Sequence, residues 1–306
     1  MTTMSARRGA VSDVPLKRVR RQWIGWAFVA PFMVIFVAMV IAPLVYAIYL
    51  SFFQQQLIGG NSFVGLKNYA LVFQDPKFWE AFGRVALFLV VQVPIMLALS
   101  LVAALAIDSA RLHGSSFFRI AIFLPYAVPG VVAALIWGFI YGDQFGLTAS
   151  INNFLGSNIL QPFSSQTVLA SIGNIVTWEF MGYNMLIFYA ALRAVPTSIY
   201  EAAEIDGAGA LRTVFSIKIP AVRGAIVIAT IFSIIGSFQL FNEPNLLQAL
   251  APNIINSFYT PNMYAYNLSF AGQQFNYAAT VAIVMGAFTA IIAYFVQLRG
   301  SREENR

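Results

Sequence analysis

Glu179 is the residue whose type and position most strongly indicate chemistry, because it lies near the middle of a 25-residue apolar run over 168–192. A carboxylate placed at the centre of a membrane span costs about 2.5–3.5 kcal/mol on insertion scales, and an acid kept there usually faces a cavity or a polar partner. Three interpretations remain open: a role in a ligand pathway, pairing with a helix of a partner chain, or snorkelling towards the membrane surface.

Further polar side chains interrupt the apolar runs and are candidates for lining a common pathway. They are Gln92, Asn174, Thr177, Tyr183, Asn184, Ser233, Ser237 and Gln239. Proline and glycine also interrupt these runs, at Pro94, Pro125, Pro129, Gly130, Gly182 and Gly236. Such residues allow membrane helices to bend around a translocation path, although kinked helices also occur in static bundles.

A short polar segment between two long apolar runs, residues 196–220, has the sequence of an ordered surface element. Ser198 and Glu201 have the spacing of a capping box, in which each side chain satisfies a free amide at the start of a helix. This pattern predicts a helix over 199–206.

Glycines are expected to shape the rest of the same segment. Gly207 and Gly209 can supply the positive φ angles that end a helix sharply. A second short helix, 210–219, is predicted to run into Pro220. Two short helices set at an angle by glycines indicate a rigid docking surface for a partner protein.

The sequence lacks the motifs of known enzymes. It has no Cys, which excludes disulfides and thiolate metal sites, and its single His113 lies in a short loop. None of its four lysines follows a glycine, so it has no phosphate-binding loop of the kind that hydrolyses nucleotides. We therefore predict no enzyme activity, no metal and no cofactor. If nucleotide hydrolysis drives transport, another polypeptide must supply the ATPase.

Composition places these features in a membrane. Hydrophobic residues make up 59% of the chain and charged residues 10%, against about 25% charged residues in soluble domains. A helix needs roughly 20 apolar residues to cross a bilayer, and only helices satisfy the backbone of such runs in lipid. Six runs qualify: 24–50, 85–107, 120–141, 168–192, 224–242 and 277–297. The predicted fold class is an all-α polytopic membrane protein with six transmembrane helices.

One membrane domain with short ends is expected. A basic segment, 1–23, precedes a transmembrane domain over 24–298, and 299–306 forms a tail. The first run has 27 residues, whereas the apolar part of a signal peptide has roughly 7–15. An uncleaved first helix is therefore predicted.

The basic residues orient the chain in a cell (inner or plasma) membrane. Fifteen of the eighteen Lys and Arg residues fall on one predicted side, and only Lys67, Lys77 and Arg84 fall on the other. By the positive-inside rule, both termini and the segment 196–220 are cytoplasmic. This excess of basic residues on one side explains the net charge of +6, so no nucleic-acid partner is expected. Membrane lipid is expected to surround the spans.

The predicted outer loops are polar but nearly uncharged. They are rich in Asn, Gln, Phe and Tyr, as in 54–56, 152–153 and 252–277. Two interpretations remain open: interfacial aromatics with solvated turns, or a platform for an external protein that delivers a ligand.

Several segments resemble ABC-importer permeases. The EAA loop of that family is matched by Glu201-Ala202-Ala203, Asp206-Gly207-Ala208, Ile217, Ile219 and Pro220. Further matches are Phe63-Val64-Gly65-Leu66-Lys67-Asn68-Tyr69, Leu124-Pro125-Tyr126-Ala127-Val128-Pro129, Trp178 and Ala190-Ala191-Leu192-Arg193-Ala194-Val195-Pro196. Together they are similar to the larger permease subunit of maltose-type sugar importers, over roughly 24–298. One departure is 247–252, which lacks the Leu-Thr-x-Gly-Gly-Pro pattern that family members often carry.

The resemblance implies a type I ABC importer permease fold and a heteromeric assembly. The implied partners are a second homologous permease, two ATP-binding ATPase subunits and an extracytoplasmic sugar-binding protein. It also implies that the segment 196–220 docks into an ATPase subunit through Glu201, Ala202, Ala203, Asp206, Gly207, Ile217 and Pro220. The implied sugar pathway includes Tyr126, Gly130, Glu179, Phe180, Ser233 and Ser237, to which we add Gln239 from its position.

Two other functions remain as alternatives. The first is an ABC permease for another cargo, such as phosphate, metal or peptide, although the sparse charge of the outer loops argues against a strongly ionic cargo. The second is a secondary transporter or channel that works alone. It would need paired ionisable residues inside the membrane, and the sequence places only Glu179 deep in a span.

Overall fold

The structure is a computed structural model that describes residues 20–56, 60–109 and 112–304. Most of the predicted basic segment 1–23, together with Arg111 and Arg306, lies outside the described residues. Contacts divide the chain into two compact units, Met1–Tyr49 and Leu50–Arg306.

The first unit contains the first predicted span. Helix α1 (Arg20–Phe36) continues through a π-helical turn (Val37–Ile41) into α2 (Ala42–Ser51), which ends in the second unit. The apolar stretch Gly25–Ser51 is long enough to cross a membrane.

The second unit begins with a strand pair that the all-α prediction did not include. Strand β1 (Phe53–Gln56) pairs antiparallel with β2 (Gly60–Phe63). Asn68 is buried behind the pair, and its Nδ2 donates to the carbonyl oxygens of Ser51 and Phe53 at 2.9 and 2.8 Å. These two bonds fix the end of α2 to the start of β1.

The remaining elements are helical. In chain order they are α3 (Lys67–Gln74), α4 (Pro76–Asp108), α5 (Ser115–Phe123), a 3-10 turn (Leu124–Ala127), α6 (Gly130–Ile140), α7 (Leu147–Leu155), α8 (Val168–Arg193), α9 (Thr197–Ile205), α10 (Ala210–Thr213), a π-helical turn (Val214–Lys218), α11 (Ile219–Ala221), α12 (Arg223–Phe238), α13 (Asn242–Leu247), α14 (Pro261–Phe270) and α15 (Phe275–Glu304). The short helices α3, α7, α13 and α14 lie at or beyond the ends of the predicted spans.

The span count agrees with the six apolar runs of the sequence. Five segments of the described chain are long and apolar enough to cross a membrane, and a bent helix pair makes a sixth when it is counted as one span. Among the unbroken spans, two extend furthest beyond their predicted bounds: α4 begins at Pro76, before the predicted 85, and the fifth extends over Arg223–Leu247. The last helix, α15, continues into the predicted tail.

The third span, predicted as one helix over 120–141, is broken. Its two parts, Ser115–Ala127 and Gly130–Ile140, meet at 98°. Pro125 and Pro129 have no backbone N–H to continue a helix, and Val128, which precedes Pro129, has the extended backbone that a following proline favours.

The other predicted interruptions do not break a helix. Pro94, Gly182 and Gly236 lie inside α4, α8 and α12, respectively.

Gly182 allows close packing between two helices. A Cβ at this position would lie 2.7 Å from the Cα of Phe123 and would overlap the carbonyl of Ile122. The missing side chain therefore lets α8 pack directly against the backbone of the broken span.

Helix α4 is the centre of the second unit. It packs along α8 and also contacts α12, which packs against α15. Met185 and Phe188 of α8 are buried against Val93, Met96 and Leu97 of α4. Helices α4, α8 and α12 together hold most of the residues of the candidate site.

Candidate functional site

A cavity of about 410 Å³ lies between α4, α8, α12 and the broken third span. Its lining is largely aromatic and uncharged-polar, and no lysine, arginine or histidine belongs to it among the described residues. Five of the seven predicted pathway residues line it: Tyr126, Phe180, Ser233, Ser237 and Gln239. The structure therefore brings together residues from three predicted spans.

One wall of the cavity is aromatic. The rings of Tyr126 and Tyr183 stack at 4.8 Å between centroids, and the ring of Phe180 meets Tyr126 edge-on at 5.8 Å. Tyr126 belongs to the 3-10 turn, so the break of the third span delivers this ring to the cavity. Such a wall offers flat apolar area with hydroxyl groups at its margin.

The rest of the lining includes amides and hydroxyls. Gln92 of α4 donates from Nε2 to the hydroxyl of Thr177 at 3.2 Å, which fixes its orientation. The hydroxyl of Ser237 donates back to the carbonyl of Ser233 on its own helix, so its oxygen remains available as an acceptor. Gln239, just beyond the end of α12, is exposed at the cavity.

Glu179 and Gly130, the other two predicted residues, lie behind this lining. Glu179 is only 4% exposed and Oε2 of its carboxyl group has no hydrogen-bond partner among the described residues. Its neighbour is Glu243 of α13, which is 8% exposed, lines the cavity and lies within hydrogen-bonding reach. A Cβ at Gly130 would lie 3.4 Å from Glu179 Oε1 and 3.9 Å from Glu243 Oε1. Gly130 thus packs directly beside the two carboxyl groups.

This pairing corrects the expectation that Glu179 is the only acid deep in a span. Glu243 falls one residue past the predicted end of the fifth run, and the structure includes it in the span Arg223–Leu247. Glu179 is buried within its own chain, so its side chain does not snorkel to the membrane surface. The sequence signal that could have found Glu243 was an acid directly following an apolar run.

The segment 196–220 is helical, as predicted, but it begins differently. Helix α9 starts at Thr197, with Pro196 at its cap and no side-chain cap bond. The predicted capping box of Ser198 and Glu201 is therefore wrong. The fixed φ of proline and its missing N–H already suit the position before a helix.

The two predicted glycine turns differ. Gly207 has φ +73°, so this residue adopts the left-handed conformation that glycine favours. Gly209 is extended with φ −67°, so the prediction of a positive φ there is wrong. After Gly209, α10, the π-helical turn and α11 continue through Pro220 to Ala221, beyond the predicted end of the second helix.

The predicted docking residues differ in exposure. Glu201, Ala202, Asp206 and Gly207 are exposed, whereas Ala203, Ile217 and Pro220 are half-buried. Three large apolar side chains of the same segment project outward: Ile205 is 86%, Leu211 76% and Phe215 67% exposed. These three residues were not among the predicted docking residues.

Comparison with known proteins gives the family. Residues 99–302 match the family described as binding-protein-dependent transport system inner membrane component. The chain belongs to this family. It is an importer permease and a multi-pass membrane protein. The permease is 34% identical over 289 residues to the lactose transport system permease protein LacF of Rhizobium radiobacter, covering 91% of this chain and 94% of the relative.

Other relatives also align over most of the permease. The diacetylchitobiose uptake system permease protein NgcF of Streptomyces coelicolor is 33% identical over 287 residues, covering 89% of this chain and 80% of the relative. A solved chain of a bacterial ABC transporter that imports the acidic polysaccharide alginate superposes with a TM-score of 0.82 at 17% identity, covering 94% of the permease and 98% of that chain. The predicted type I ABC importer permease fold is thereby confirmed.

Proposed function

We propose that this permease forms, with a second homologous permease, the pathway for an uncharged sugar or oligosaccharide delivered by an extracytoplasmic sugar-binding protein. Two ATPase subunits would supply the energy. The observation that carries the proposal is the membrane-depth cavity, whose lining combines aromatic rings with amide, hydroxyl and carboxyl groups. Sugars present apolar ring faces and many hydroxyl donors, and these two sets of groups complement them.

The charge of the cavity supports an uncharged cargo. Glu243 lines it and Glu179 lies directly behind, while no cationic side chain of the described residues belongs to the lining. A carboxylate accepts strong hydrogen bonds from hydroxyl groups but repels an anion in a site of low dielectric constant. Phosphate or an acidic sugar would meet this repulsion without a compensating cation.

The relatives support the same class of cargo. Their names assign lactose and diacetylchitobiose uptake to those proteins. The alginate importer of similar fold differs in this respect, because the pentasaccharide bound to its periplasmic protein is acidic. The family description names binding-protein-dependent transport, in which a binding protein delivers the cargo to the permease.

The segment 196–220 supports docking to an ATPase subunit. Ile205, Leu211 and Phe215 expose large apolar surfaces that are costly to leave in water, which is typical of a protein interface. Glu201 and Asp206 are exposed beside them and can accept charge-assisted hydrogen bonds. Ala202 and Gly207 present little side chain, which permits close approach.

Uptake of defined sugars tests the proposed cargo. Cells that express the permease with its own partner subunits are expected to take up radiolabelled lactose or diacetylchitobiose. Uptake should fall by about tenfold in Tyr126→Ala, because a stacking surface is lost. Trp79→Phe, a change of a similar ring outside the cavity lining, is the control and should transport normally. Uptake of labelled phosphate with no uptake of either sugar would contradict the proposal.

Co-purification tests the proposed assembly. A tag on this chain should recover two permeases, ATPase subunits and ATP hydrolysis from detergent-solubilised membranes. Phe215→Ser should weaken recovery of the ATPase subunits, because its exposed ring belongs to the proposed interface. Phe154→Ser removes a ring that is still more exposed, on the predicted outer side, and should leave recovery unchanged.

A further inference from the structure

A buried ion pair joins the segment 196–220 to helix α4. Lys218 Nζ lies 2.5 Å from Asp108 Oδ2, and the two side chains are only 15% and 8% exposed. Lys218 belongs to the π-helical turn of the segment, whereas Asp108 is the last residue of α4. The two residues are 110 positions apart in the sequence, so the contact is purely tertiary.

Both halves of the segment converge on this pair. Tyr200 of α9 places its ring 5.3 Å from Lys218 Nζ. Burial and the negative charge of Asp108 raise the pKa of the Tyr200 hydroxyl. A displacement of α9 or of the π-helical turn therefore acts on the same ammonium group, that of Lys218.

Asp108 is placed where a carboxylate alone would be unfavourable. The C-terminal end of a helix carries partial negative charge, and α4 has no basic residue in its last turn. Lys218 offsets both this repulsion and the burial of the carboxylate. Among the described residues, the cation that forms an ion pair with this end of α4 comes from the segment 196–220.

The other part of α4 reaches the cavity. Phe88, Gln92 and Met96 of this helix line it. Gln92 lies sixteen residues before Asp108, which corresponds to about 24 Å along an α-helix. One continuous helix therefore connects the ion pair to the candidate cargo site.

We propose that the Lys218–Asp108 pair is a positioning contact that transmits movement of the docking segment, residues 196–220, through α4 to the cavity. The inference rests on the proposed docking of 196–220 to an ATPase subunit and adds the route by which docking affects the membrane region. Lys218 and Asp108 touch neither cargo nor nucleotide in this role.

The test measures the cavity directly and needs no identified sugar. Because the chain has no native cysteine, Gln92→Cys gives one thiol at the cavity, and its alkylation by N-ethylmaleimide can be followed in the purified complex. The rate is compared without nucleotide and with ATP and vanadate. In the otherwise unchanged permease we expect a change of about fivefold or more, the range of typical coupling between sites.

The key variant is the double change Asp108→Asn with Lys218→Met, which removes the ionic tie without leaving a buried charge unpaired. We expect ATPase recovery and basal hydrolysis to remain, while the nucleotide-dependent change at Gln92→Cys falls below about twofold. Glu80→Gln is the matched control. It breaks the Glu80–Arg84 pair at the opposite end of α4, where Glu80 is half exposed, and should keep the full response.

Each contrary outcome has a distinct meaning. A full response in the double variant overturns the inference and leaves the proposed function intact. Loss of response in Glu80→Gln as well, or loss of the ATPase subunits from the double variant, also overturns it, since the effect would then be general or would concern docking. If the unchanged permease shows no response to nucleotide, the proposed ATPase docking itself fails, and the inference fails with it.

Discussion

Two buried carboxyl sites in this permease have opposite surroundings. At the C-terminal end of α4, Asp108 meets the cation of Lys218 at 2.5 Å. At the cavity, Glu179 meets a second acid, Glu243, and one of its oxygens has no partner among the described residues. The first site is satisfied within the chain and therefore holds two elements together. The second retains hydrogen-bonding capacity, which a site for a hydroxyl-rich ligand requires.

The largest expected effect concerns stability at the satisfied site. Lys218→Met leaves the Asp108 carboxylate buried and unpaired, which should destabilise the protein by about 3–5 kcal/mol. Thermal unfolding of the purified complex in detergent measures this change. Glu243→Gln, which removes one of two facing acids, should leave the unfolding temperature equal or higher. Equal destabilisation by both changes would erase the contrast between the two sites.

The next effect concerns transport at the cavity site. Glu179→Leu should reduce sugar uptake by about 10- to 100-fold, because Glu243, which lines the cavity, loses the hydrogen-bonding partner behind it. Glu179→Gln retains an acceptor oxygen and should cause a smaller loss. Immunoblotting and co-purification of the partner subunits serve as controls for assembly. Normal uptake by an assembled Leu variant would show that the carboxyl group is not used.

A smaller effect separates the two glycines of the docking segment. Gly207→Ala places a side chain at φ +73° and should cost about 1 kcal/mol, seen as weaker recovery of the ATPase subunits. Gly209→Ala is the matched change at an ordinary extended backbone and should be tolerated. Equal recovery in both variants would show that the left-handed turn does not shape the docking surface.

The final prediction concerns membrane orientation, and its two substitutions are expected to leave stability unchanged. It tests which side of the membrane the segment 196–220 faces. Asn153→Cys, exposed on α7, should react with an impermeant thiol reagent added to intact cells. Ser216→Cys, exposed on the docking segment, should react only after permeabilisation. Labelling of Ser216→Cys from outside would reverse the orientation and place the Lys218–Asp108 pair on the wrong side for ATP-driven coupling.

The sequence predicted the apolar spans well because hydropathy depends on local composition. It could not predict the direction of the chain inside a span, so the third span was expected as one helix and is broken at Val128. The Glu179–Glu243 and Lys218–Asp108 contacts also escaped prediction, since each joins residues far apart in the chain. Gly207 was predicted correctly and Gly209 was not, because a glycine permits positive φ without requiring it.

The break in the third span also determines whether lipid, protein or water can lie beside this part of the chain. Helix α6 has eleven residues and rises about 16 Å, roughly half the hydrocarbon thickness of a bilayer. Gly130 lies beside Glu179, the middle of its span, so the non-helical backbone at Val128 is at membrane depth. Lipid does not tolerate such backbone, which must be covered by protein or water. Since Tyr126 and Ala127 are exposed on this chain, this side of the molecule is one where a second subunit or an aqueous path replaces the bilayer.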